Sequence, residues 1–230
     1  RRGDYARASF HSHGFYTRDW YGRHRGCWFP RRWAYGTVWA IWDWDYLNGW
    51  FGWGADPVYY DYGNTVYYQD NSVYVNGENV GTADDYYQSA LDLANSDATE
   101  DATPADGDDG EWLPLGVFAM TNEDHPKADL VLQLAVNKEG TIRGNYTATL
   151  VDHTLPVAGA VDKKSQRAAW TIGDNKDNVF ETGVDNLTKD ESPMLVHLGK
   201  ETTQQWTLVR LKGDDSGSAD DSAAADASAS

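Results

Sequence analysis

The sequence predicts a mainly β protein: an eight-stranded antiparallel up-and-down β-barrel over residues 112–212, preceded by a small α+β part. Three observations carry this. Residues 112–212 hold eight short alternating runs, and nearly every connection between them is of hairpin length. By contrast, eight of the eleven tryptophans fall between Trp20 and Trp53, at a spacing that is helical rather than strand-like.

Composition bounds the problem. The chain has 230 residues and a formal net charge of −17, with 40% hydrophobic and 13% aromatic residues. That is enough apolar material for a core, and the length allows one or two domains of about 100–200 residues. No apolar run approaches the roughly 20 residues of a spanning helix, so no transmembrane segment is expected. The acidic balance disfavours a nucleic-acid partner. The lone Cys27 excludes an internal disulfide. Charge is unevenly placed. Residues 1–33 carry eight arginines against Asp4 and Asp19, whereas residues 34–111 hold sixteen acids and no Lys or Arg. Opposite blocks in one chain suggest that the arginine segment meets acidic surface, its own or a neighbour's.

Taken in order, residues 1–54 read as an arginine-rich arm running into an aromatic helix. Tyr35, Trp39, Trp42, Tyr46, Trp50 and Trp53 recur at steps of three and four, which places their rings on one helical stripe, with Asn48-Gly49 ending or kinking the helix. A stripe of that area requires a dry surface to face: the body of the protein, a second copy, or a ligand. Residues 55–95 read as a β-meander plus a short helix. Thr65–Gln69, Ser72–Val75 and Glu78–Val80 are joined by Asp70-Asn71 and the hairpin pair Asn76-Gly77. Thr82-Ala83-Asp84-Asp85 is a capping box, with Tyr86, Ala90 and Leu93 on one face behind it. Residues 96–111 are an acidic linker, and 213–230 an acidic tail with too little apolar content to fold. Between them the strands run over 115–120, 130–136, 142–150, 155–161, 167–172, 179–184, 194–200 and 204–211. Eight is the strand number whose interior just fills or holds one small ligand.

Several stretches carry a resemblance. Leu132-Gln133-Leu134-Ala135-Val136-Asn137-Lys138-Glu139-Gly140, Ile142-Arg143-Gly144-Asn145-Tyr146, Gly159-Ala160-Val161-Asp162, Gln166-Arg167-Ala168-Ala169-Trp170, Glu181-Thr182-Gly183 and Gln205-Trp206-Thr207-Leu208-Val209-Arg210 make this chain similar to a mu-protocadherin-like family of bacterial cell-surface proteins, frequent in planctomycetes. Tyr60-Asp61-Tyr62-Gly63-Asn64 and Val73-Tyr74-Val75-Asn76-Gly77 extend the likeness into the first half. It implies a surface location and brings no activity with it. Gly144-Asn145-Tyr146-Thr147 and Trp170-Thr171-Ile172 resemble strands of the avidin barrels, which implies avidin- or lipocalin-like topology. The first strand, Leu115-Gly116-Val117-Phe118, lacks that family's tryptophan, and its ligand-contacting set has no match here.

No phosphate-cradling glycine loop, GxSxG, HExxH or paired CxxC is present. His11, His13, His24 and Cys27 are the one metal-like cluster; their spacing fits no known site and arginines crowd them, so they are read as surface or packing residues. Arg25, Arg31 and Arg32 beside Cys27 would favour its thiolate, and an unpaired thiol could equally link two chains, but a buried inert sulfur is commoner than either. Glu181 and His197 sit on predicted strands; pointing into the barrel, the pair could act as a general base, but polar residues on strands more often face solvent or satisfy one another. Asn145-Tyr146-Thr147 and Asn186-Leu187-Thr188 fit the glycosylation triplet. Arg2-Gly3-Asp4 matches an adhesion tripeptide at a terminus expected to be loose.

The function expected from these residues is a non-enzymatic, exported structural or interaction protein that needs no cofactor or metal. Its first residue, Arg1, is read as the mark of a processed or partial chain, with removal of an export signal as the expected reason. Self-association, or contact with another surface protein, would use Trp39, Trp42, Trp50 and Trp53 for burial and Arg18, Arg23, Arg25, Arg31 and Arg32 for charge. The alternatives are a small hydrophobic ligand in the barrel mouth, lined by Tyr146, Trp170 and Trp206, and a carbohydrate held on exposed tryptophans.

Overall fold

The computed structural model describes residues 2–10, 14–30, 32–96 and 111–213. Its body is a closed antiparallel barrel of eight strands: β4 (Trp112–Thr121), β5 (Leu130–Asn137), β6 (Thr141–Ala148), β7 (His153–Asp162), β8 (Arg167–Ile172), β9 (Asn175–Gly183), β10 (Glu191–Leu198) and β11 (Thr202–Arg210). Each strand pairs with the next in sequence, and β11 closes the ring on β4 with Thr207 opposite Thr121 and Arg210 opposite Phe118. The fold class read from the sequence is therefore the observed one.

Strand alternation builds two apolar layers. On β5, Leu132, Leu134 and Val136 face the barrel core with Phe118, Met120, Trp170, Met194 and Leu208. The intervening Val131 and Ala135 face outwards and are buried as well. The outer wall is dry because the first half of the chain wraps it. α1 (Arg2–Ser9), α2 (Arg18–Arg23) and the loops around them lay Tyr16, Trp20, Tyr21 and Val38 over Val117, Ala119, Val131 and Val209. Trp28 packs edge-on against Trp112, with ring centroids 4.8 Å apart. The small sheet β1 (Val66–Gln69), β2 (Ser72–Val75), β3 (Glu78–Thr82) places Tyr62, Val66 and Val73 with Tyr86 and Leu195. α4 (Ala83–Asn95) sets Tyr87, Ala90 and Ala94 on Ala169 and Val179. Its Thr82–Asp85 capping box is present in both directions, with Asp85 N–H to Thr82 at 3.1 Å and Thr82 N–H to Asp85 at 2.9 Å.

The aromatic stripe departs from expectation. Tyr35 to Trp53 is not one helix. A 3-10 turn covers Thr37–Trp39, Ala40 is extended at φ −59°, ψ 147°, and α3 (Trp44–Phe51) begins only after Asp43, whose carboxylate caps it by accepting from Tyr46 N–H at 2.9 Å. The cap resets the helical phase, so the rings separate. Trp39 joins the cluster on the outer wall. Trp42, Trp50 and Trp53 pack with Leu47 on the barrel core. Tyr35 and Tyr46 stay about half exposed. Asn48-Gly49 does not end α3, which runs to Phe51 and stops at left-handed Gly52.

The expected linker 96–111 and tail 213–230 lie outside the described residues, apart from Ser96, Glu111 and Gly213. Arg2-Gly3-Asp4 is not a loose end: it forms the start of α1, where Gly3 is buried so closely on Glu191 that a Cβ would collide with it. Among the described residues no helix is long and apolar enough to cross a membrane.

Candidate functional site

The two ends of the barrel differ. At the end holding the start of β4 and the close of β11, α3 inserts Leu47, which is 1% exposed, among Leu113, Val136 and Ile142. Arg210 crosses the same end. Its guanidinium donates to the carbonyls of Leu115 at 3.2 Å, Lys189 at 3.4 Å and Leu187, and lies 4.6 Å over the Phe118 ring. Burial lowers its pKa to about 10. Gly116 makes room for it. The residue stands at φ +126° beside a bulge in β4, and a Cβ there would strike the guanidinium.

The opposite end is a cup. A cavity of about 290 Å³ is lined by Met120, Leu130, Tyr146, Ile172, Phe180, Val196, Leu198 and Trp206, with Asn175, Asn178 and Gln204 as its polar members. Alternation explains the set, since Asn178 and Phe180 share one face of β9, and Gln204 and Trp206 one face of β11. The Trp206 indole donates to Gln204 Oε1 at 3.0 Å, and His125 stacks on the Trp206 ring at 5.6 Å and 15°. Asn175 Oδ1 accepts from the backbone N–H groups of Asp177 at 3.1 Å and Asn178 at 3.2 Å. Burial pushes the Tyr146 phenol above its ordinary pKa, so it stays a neutral hydroxyl.

Of the three residues expected to line a mouth, Tyr146 and Trp206 do so. Trp170 does not. It is fully buried in the barrel core, two positions along β8 from the cavity-lining Ile172. Phe180, Asn175, Asn178 and Gln204 were not singled out from sequence, although the faces they share with neighbouring apolar residues mark them.

Glu181 and His197 pair as expected but on the other side of the wall. Phe180 and Val196 take the inward positions, so Glu181 and His197 point outwards and are buried under α4 and the meander. His197 Nε2 lies 3.2 Å from Glu181 Oε1, and Nδ1 lies 2.9 Å from the Thr203 hydroxyl. Arg167 pairs with the second oxygen of Glu181, donates to Ser89 Oγ at 2.7 Å and Tyr86 O at 3.3 Å, and lies 4.0 Å over the Tyr86 ring. Burial alone would raise the Glu181 pKa, but the charge of Arg167 and the His197 contact overcome it and hold the carboxyl below its usual range. A carboxylate so held is a poor proton acceptor and a strong tie between α4 and the barrel.

The remaining candidates are placed as follows. Arg18, Arg23, Arg25 and Arg32 are exposed, while Arg31, His11 and His13 lie outside the described residues. Arg7 meets Glu191 at 2.7 Å and Arg2 meets Glu123 at 3.6 Å, so part of the arm pairs with the chain's own barrel. Trp39 packs 5.8 Å from Tyr16, Trp42 stacks 4.1 Å from Tyr46, Trp53 stacks 4.4 Å from Phe51, and Lys138 caps Trp50 at 4.8 Å. Cys27 is buried and its pKa is pushed up to about 12, chiefly by desolvation, so the neighbouring arginines do not give it thiolate character. His24 is occupied by Trp20 O at 2.8 Å and Asp152 at 3.0 Å, and no group of three metal-ligating side chains occurs among the described residues. Neither glycosylation triplet offers an accessible asparagine. Asn145 is fully buried and holds both sides of the Trp28 backbone at 2.8 Å, and Asn186 is buried against Tyr60 O at 2.8 Å.

No protein-family model, curated protein or solved structure matches this chain.

Proposed function

We propose that this chain is a small-molecule-binding barrel, with an uncharged, largely apolar ligand held in the cup at the open end. The supporting observation is the asymmetry of the barrel. One end is stoppered by Leu47 and the α3 tryptophans, while the other keeps a cavity of about 290 Å³ walled by Tyr146, Phe180 and Trp206. Apolar walls with a few polar groups at the rim are the usual composition of a ligand site, and this volume lies at the small end of the range. The tryptophans of the first half are at least partly buried in coating and plugging the barrel, so they do not themselves require a partner. The test is titration with the neutral fluorophore N-phenyl-1-naphthylamine. Enhanced emission that saturates near one equivalent, and that is lost in Trp206→Ala, supports the reading. Absence of enhancement in a folded wild-type chain overturns it.

A second reading is favoured by Arg18, Arg23, Arg25 and Arg32, which are exposed and form no ion pair among the described residues, while residues 34–96 carry acids and no base. Copies would then associate head to tail through opposite charge. Sedimentation velocity decides: association at low salt that dissolves at high salt supports it, because screening acts over about 8–10 Å, and a monomer at both salts removes it.

A further inference from the structure

We infer that the cup selects a neutral molecule with a flat apolar body of one or two rings and a single hydrogen-bond-accepting carbonyl. This rests on the small-molecule reading above and specifies the chemistry of its ligand.

The polar rim is biased towards donors, and the bias follows from bonds the rim already makes. An indole N–H and a backbone N–H can only donate, so the amide atom that meets each of them must be the oxygen. Trp206 Nε1 therefore orients Gln204 with Oε1 accepting from the indole and its NH2 group unspent. The N–H groups of Asp177 and Asn178 do the same for Asn175, whose NH2 group is likewise unspent. The Tyr146 hydroxyl adds a neutral donor. Asn178 supplies one donor group and one acceptor, Gln204 Oε1 keeps one lone pair, and Asn175 Oδ1 has both engaged, so donors outnumber acceptors along the rim. Two oriented NH2 groups and a phenol are matched by a carbonyl oxygen, which has two lone pairs and no proton of its own.

Charge narrows the class further. Every side chain lining the cavity is neutral. A carboxylate or phosphate would enter without a counter-charge, against the field of a chain of net charge −17. An ammonium group that carries protons would meet more donors than acceptors. A ketone, ester, lactone or amide avoids both penalties, while its rings lie against Trp206, Tyr146 and Phe180.

The experiment compares four naphthalenes of similar shape by isothermal titration calorimetry on the full chain: 2-acetylnaphthalene, 2-ethylnaphthalene, 2-naphthoate and protonated 2-(aminomethyl)naphthalene. The ketone is expected to bind about tenfold more tightly than the hydrocarbon, the gain from one well-placed hydrogen-bonding group, and more tightly than either ion. Gln204→Leu, at an exposed position with little bearing on folding, should erase most of that advantage and leave 2-ethylnaphthalene unaffected. Equal affinity for the ketone and the hydrocarbon, or preference for either ion, overturns the donor-rim inference and leaves the cup reading standing. Failure of all four to bind overturns the cup reading itself.

Discussion

The two ends of the barrel are made from the same strands with the same alternation, yet one is sealed and the other open. At the sealed end, residues from the first half of the chain enter: Leu47 reaches the core, Trp42, Trp50 and Trp53 close around it, and Arg210 laces three carbonyls together beneath. At the open end no described residue before Met120 contributes a wall, and the rings there are only partly covered. An eight-stranded barrel has an interior that side chains can just fill. Whether it becomes a packed body or a cup is thus decided by what the rest of the chain lays across each mouth. Here the aromatic half is spent at one mouth and along the wall, and the other mouth is left open.

Four measurements sharpen this contrast. The largest effect belongs to the wall between the ends. Glu181→Gln leaves Arg167 buried without its counter-charge and should cost about 3–5 kcal/mol in urea denaturation. The same pair sets an acid limit. Because the folded pKa of Glu181 is depressed, its stabilisation is complete above the unfolded value of about 4.3 and is lost as pH falls through the lower folded value. Wild type should therefore lose stability more steeply than Glu181→Gln below about pH 4. At the sealed end, Leu47→Ala opens a cavity in a packed core and should cost about 2–5 kcal/mol. At the open end, Trp206→Ala removes a partly exposed ring and should cost under about 1 kcal/mol while abolishing ligand response. Equal costs for Leu47→Ala and Trp206→Ala would show that the ends are not as different as their packing indicates.

Much of this was legible in the residues. All eight barrel strands, the meander and the capped helix follow from a two-residue period, hairpin turns and the Thr82–Asp85 box, which are local signals. Three features escaped because they depend on distant chain. The Tyr35–Trp53 spacing mimics a helix, but rings that bury on any nearby surface need not share an element. Asp43 and Gly52, the true caps of α3, were present in the sequence and outweighed the periodicity. Glu181 and His197 do satisfy one another, but their face was open in the sequence because the covering half makes both faces of β9 and β10 dry, so alternation no longer tells inside from outside. Tyr146 and Trp206 lie among the residues that line the cavity, and Trp170 lies deeper in the core, because depth along the barrel is fixed by register across strands, and one strand's sequence does not contain it.

The wrapped wall also bears on how the protein is made. Residues 2–95 are translated before the barrel strands and carry eight tryptophans, among them Trp20, Trp28 and Trp39, whose resting places on β4, β5 and β11 have not yet been synthesised. The ring itself closes only when β11 emerges to meet β4, about ninety residues after β4 was translated. Until then the nascent chain displays its stickiest surface with nothing native to lie on, so it depends on chaperone cover or on rapid completion to avoid aggregation.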